Sequence, residues 1–124
     1  MRLTRITTLL TLSIALTGCH SAYVEATISN RTPDPITLIE VDYPSASFGT
    51  QGLAPGADFH YRFKVIGSGN LKLLYTDNAH QDHKAEGPLL KEGAEGPLAI
   101  IITNQGILWQ PAPTVVPTPD VKFR

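Results

Sequence analysis

Two imidazoles and two carboxylates fall between residues 77 and 83: Asp77, His80, Asp82 and His83. Imidazole nitrogen and carboxylate oxygen suit zinc or copper, and a loop could fold His80, Asp82 and His83 around one ion. The competing reading is a solvated polar loop at a sheet end. No cysteine neighbours the cluster to complete a recognised ligand spacing. Glu40 and Asp42 stand two residues apart, where a strand puts both on one face and could offer a glycosidase-type carboxylate pair. The same spacing is also the ordinary solvent face of a half-exposed strand. Nucleophilic catalysis needs a positioned Ser or Cys beside a base. Gly67-Ser68-Gly69 is too short for G-x-S-x-G and reads as a turn. We therefore expect no enzyme, no catalytic residue and no bound cofactor, with a hydrolase kept as a remaining option.

Aromatic side chains could form a ligand platform at Phe59, Tyr61 and Phe63. Their strict alternation instead assigns them to the core. Tyr43, Phe48 and Trp109 would mark a binding surface if two of them were exposed at one end of a sheet.

The single cysteine, Cys19, has a different setting. Arg2 and Arg5 precede an apolar run from Ile6 to Leu16, and Leu16-Thr17-Gly18 lead into the cysteine. A charged start, a short apolar stretch and small residues before a cut form a secretory signal. The run is too short for the roughly 20 apolar residues of a transmembrane helix. Residues 1–19 resemble the signal peptide and lipobox of bacterial lipoproteins. The resemblance implies cleavage before Cys19, a diacylglyceryl thioether on its sulfur and an acyl group on its new amino terminus. Burial of each acyl CH₂ contributes about 0.8 kcal/mol, so two or three chains anchor firmly where one would not. In enterobacteria-like lipoproteins, Asp after the cysteine retains the protein in the inner membrane. His20 stands there, so the resemblance implies the periplasmic face of the outer membrane.

Without residues 1–18 the chain keeps 106 residues, and eight Lys and Arg face eleven Asp and Glu, a formal charge of −3. That size makes one small domain. The acidic balance argues against a nucleic-acid partner, and there is no polybasic patch for anionic lipid.

The positioning elements read as strands. Val24, Ala26 and Ile28 alternate with Glu25, Thr27 and Ser29. Ile36–Tyr43, a short Ala46–Thr50, Ala57–Val65 and Leu71–Thr76 follow, then His83–Leu90, broken at Gly87-Pro88. The Gly67–Asn70 connection makes the fourth and fifth strands a hairpin. Leu98–Thr103 is nearly all branched aliphatic and should be central with both faces covered. Asn104-Gln105-Gly106 suits a three-residue hairpin loop into Ile107–Gln110. Asn30-Arg31-Thr32 matches a glycosylation sequon, a chance match in a bacterial lipoprotein. No helical period occurs after residue 22. The expected fold is all-β, an antiparallel immunoglobulin-like or transthyretin-like sandwich of seven to eight strands. Its core would include Ile28, Phe59, Tyr61, Phe63, Leu71, Leu73, Ile100 and Ile102.

Four segments result: a signal peptide at 1–18, an acylated cysteine with a very short tether at 19–22, a sandwich at 23–110 and a Pro-rich tail at 111–124. Pro111, Pro113, Pro117 and Pro119 favour an extended tail. Its apolar and cationic tip, Lys122-Phe123-Arg124, could contact a partner. The expected function is a non-catalytic, membrane-anchored envelope module that binds another envelope protein or supports an assembly. The alternative is a small-ligand or metal-binding lipoprotein using the Asp77–His83 loop.

Overall fold

The computed structural model describes residues 22–110 and 113. Eight strands follow in order: β1 (Val24–Asn30), β2 (Leu38–Tyr43), β3 (Ala46–Thr50), β4 (Asp58–Phe63), β5 (Gly69–Thr76), β6 (Asp82–Leu90), β7 (Gly96–Thr103) and β8 (Gly106–Gln110). They form two four-stranded sheets, ordered β4-β1-β7-β8 and β3-β2-β5-β6. The described residues contain no helix. The fold is an all-β sandwich.

Alternation decides which side chains meet between the sheets. Val24, Ala26 and Ile28 of β1, Leu98, Ile100 and Ile102 of β7, Ile39 and Val41 of β2, and Leu71 and Leu73 of β5 are buried. Their neighbours in sequence lie on the outer faces of the sheets, exposed or half-covered apart from the buried Ser29. The inner strands therefore carry the aliphatic core, and the open sides between the sheets are closed by aromatic rings. On one side Tyr43 stacks on Phe63 at 4.3 Å between centroids, and Phe48 stacks on Tyr61 at 4.3 Å. On the other, the indole of Trp109 lies over Gly87, where a Cβ would come within 2.7 Å of the ring.

Several expectations are corrected. The sandwich is not purely antiparallel: β1 and β7 pair in parallel, with Ile28 opposite Ile100. β4 and β5 are not a hairpin, because β4 pairs with β1 and β5 with β2 and β6. The Gly67–Asn70 stretch instead leads the chain from one sheet to the other. Phe59, Tyr61 and Phe63 do share the inner face, but β4 is an edge strand. Only Phe63 is fully buried; Phe59 is half-buried and Tyr61 is 39% exposed. β7 is central, yet only its inner face is buried, with Ala99, Ile101 and Thr103 half-covered. Its turn to β8 is shorter than expected, since Thr103 already pairs with Gly106. The break at Gly87-Pro88 is a register irregularity opposite Asn70 to Lys72, which β6 continues through.

The direction of each strand gives the sandwich two poles. β1 starts at the lower pole, beside Gly96 and Phe63. The 44–45, 64–68 and 91–95 connections lie there too. The opposite pole carries the 31–37, 51–57, 77–81 and 104–105 connections. β1 rises about 20 Å between them.

Candidate functional site

At the upper pole a cleft of about 320 Å³ opens between three connections. Its walls are Thr32 and Asp34 to Ile36 from the β1–β2 loop, Tyr75, Asp77 to Ala79 and His83 around the β5–β6 turn, and Thr103 and Asn104 at the end of β7.

Asn30 builds the first wall. It ends β1 with no exposed surface. Its Nδ2 donates to the carbonyls of Asp34 and Leu53, each at 2.9 Å. Its Oδ1 accepts the backbone N–H of Thr32 at 3.0 Å and the Thr32 hydroxyl at 2.7 Å. The Asn-x-Thr spacing is thus a structural clasp, in which an amide bonds the backbone two residues on. The Arg31 N–H donates to the Ile102 carbonyl at 2.8 Å, tying the loop to β7.

Asp77 builds the second wall. Its Oδ1 accepts from the backbone N–H groups of Ala79 at 2.8 Å and Gln81 at 3.0 Å. Its Oδ2 lies 2.8 Å from Nε2 of His83. The His83 ring stacks on Tyr75, centroids 4.6 Å apart and nearly parallel. A carboxylate on one side calls for the proton on Nε2, which leaves the lone pair of the neutral ring on Nδ1. The His83 bond first, then the Gln81 and Ala79 N–H groups, hold the Asp77 carboxyl below the usual carboxylate range. Burial, helped by the Asp77 charge, pushes the Tyr75 phenol up.

The structure thus separates the expected ligand cluster. Asp77 and His83 are paired in the cleft wall. The Asp82 carboxylate accepts the Thr76 hydroxyl at 2.7 Å. His80 sits in the exposed turn at a φ of 62°. Among the described residues, no group of three or more His, Cys, Asp or Glu side chains is placed to hold a metal ion. Glu40 and Asp42 do share the outer face of β2, where Asp42 lies opposite Lys72, and Lys72 opposite Glu86. Phe48 is buried, and Tyr43 and Trp109 pack against the core, so the exposed aromatic pair that would mark a binding surface does not form. Cys19, the Leu16–Gly18 box and the Lys122–Arg124 tip lie outside the described residues.

Sequence reasoning missed two features. The cleft needs Thr32 and Asn104 beside Asp77, and nothing in the local spacing brings them together. The second is an outer-face pair across β1 and β4, where the Thr27 hydroxyl lies 3.0 Å from Nδ1 of His60. It has the spacing of a nucleophile and its base, but it stands on the exposed sheet face, outside the cleft. Beside it the Ser29 hydroxyl, then Arg31, hold the Asp58 carboxyl low, and Arg31 pairs with it at 3.2 Å.

The chain matches no protein-family model and no curated protein. Among solved structures it is similar to the NMR structure of a protein from Eubacterium rectale. The TM-score is 0.56 at 10% sequence identity, over 81% of this chain and 93% of that one. At that identity the likeness speaks for the β-sandwich fold alone.

Proposed function

We propose that this protein is a lipid-anchored, non-catalytic module of the bacterial envelope that presents its upper-pole cleft to a protein partner. One observation carries the reading: the strand that follows Cys19 begins at one pole, and the cleft lies at the other. Five residue steps from Cys19 to Val24 reach about 17 Å at most. An acyl chain on Cys19 therefore holds the lower pole at the bilayer, and β1 sets the cleft about 20 Å farther out. His20 in place of Asp after the cysteine supports the periplasmic face of the outer membrane. The strand order also favours one sandwich type. An immunoglobulin order pairs the first two strands in one sheet, whereas β1 and β2 lie in different sheets here. That supports the transthyretin-like arrangement.

A photo-crosslinking residue at Asn104 or Asn78, compared with one at Ser68 or Glu92, tests the reading in native membranes. It expects a discrete crosslinked protein from the upper-pole sites alone. Equal crosslinking from both poles, or none from either, overturns it. The small-ligand alternative gains one support, because Asp77, His83 and Tyr75 all line the cleft. A zinc titration followed by histidine NMR would promote it if the His83 signals shift at stoichiometric metal.

A further inference from the structure

The lower pole carries the two most exposed large aliphatic side chains described. Ile66 is 58% exposed and Leu89 56%, against 41% for Leu38 at the upper pole and 48% for Leu108 on the outer sheet face. A single exposed aliphatic is ordinary. Two at the pole nearest a predicted lipid anchor are a different matter. The connections next to them are also tied together. The Gly93 N–H donates to the Val65 carbonyl at 3.2 Å, and the Glu92 N–H to the Ser68 hydroxyl at 3.0 Å. The connection bearing Ile66 is thereby clasped to the one that follows Leu89. Tyr23, just before β1, lies under the Arg62 guanidinium at 3.9 Å. An aromatic ring with a polar tip beside a cation suits the headgroup level.

The geometry points to a membrane-contact surface at the lower pole, with Ile66 and Leu89 entering the interface of the bilayer that holds Cys19. This rests on the lipid-anchor reading. The occupant follows from chain length: a tether of at most about 17 Å, less a headgroup layer of about 5–8 Å, leaves too little space for a folded protein layer between this pole and the lipid. The charges fit as well. Arg62, Lys64 and Lys91 are matched in number by Glu25, Glu92 and Glu95, so contact needs apolar insertion rather than anionic lipid. Insertion to about 5–10 Å is the depth of such interfacial contacts.

The test uses the acylated full-length protein in phosphatidylcholine vesicles. Ile66→Cys, Leu89→Cys and Asn104→Cys each carry an environment-sensitive fluorophore, quenched by aqueous iodide. All three positions are exposed, so the fold tolerates them. We expect quenching at 66 and 89 to be at least about threefold weaker than at 104. Equal quenching at the three positions, with the protein co-floating with vesicles, overturns the contact surface and leaves the anchor standing. A parent protein that does not co-float overturns the anchor and the contact surface together.

Discussion

Replacing Asn30 by alanine removes a side chain that makes four hydrogen bonds with no exposed surface of its own. A typical hydrogen bond contributes about 1 kcal/mol net, while a buried partner left without one costs about 1–3 kcal/mol. The bond to the Leu53 carbonyl is buried and takes the full penalty. Those to Thr32 and Asp34 are part-buried, where water recovers some of the loss. The sum is about 3–4 kcal/mol, a large share of the roughly 5–15 kcal/mol that holds a domain together. Urea unfolding followed by Trp109 fluorescence reads it directly. With a slope of about 1–1.5 kcal/mol/M, the midpoint drops by 2 M or more. Asn30→Asp keeps the size and the acceptor but loses both donors, and should be no milder. Thr32→Ala removes only the hydroxyl and should cost about 1 kcal/mol. If Asn30→Ala costs under about 1 kcal/mol, the clasp does not hold the cleft wall and the argument fails.

Gly87→Ala pushes a methyl into the Trp109 ring. It should cost about 1–3 kcal/mol and change the tryptophan emission, whereas Gly93→Ala, at a positive φ in open space, should leave the emission alone. The depressed Asp77 carboxyl contributes stability that is fully present above the ordinary carboxylate value of 3.8 and lost as pH falls below it. Urea midpoints measured at pH 5 and pH 3 should therefore differ less for Asp77→Asn than for the parent protein. Pro113 is buried, so deleting residues 114–124 should leave the midpoint unchanged, while deletion from residue 112 should lower it. If the Lys122-Phe123-Arg124 tip captures a partner, the shorter deletion will also remove a crosslinked species.

Strand positions were legible because alternation is local. The expected β3, Ala46–Thr50, has the observed bounds, and the inner face of β4 was assigned correctly. Partnership was not legible. Gly67-Ser68-Gly69-Asn70 has the composition of a hairpin turn, yet it joins strands in different sheets, since turn chemistry records a bend and not what lies beyond it. The parallel pairing of β1 with β7 links residues about seventy apart, and no local pattern encodes it. Tyr61 shows how edge position alters burial without altering face. At the site, Asp77 and His83 stood out by type. Their pairing across a turn needed the backbone, and the opposite wall needed Asn30, whose spacing to Thr32 passed for a glycosylation match.

The central claim is that Cys19 carries lipid and sets which pole meets the membrane. The intact mass of the protein extracted from bacterial membranes tests it most directly. The account predicts a chain that begins at Cys19 and bears a diacylglyceryl group and an amide-linked acyl chain, with Cys19→Ser retaining its leader and leaving the detergent phase. A membrane-extracted chain that begins at Met1, or at Cys19 without added lipid mass, would contradict it.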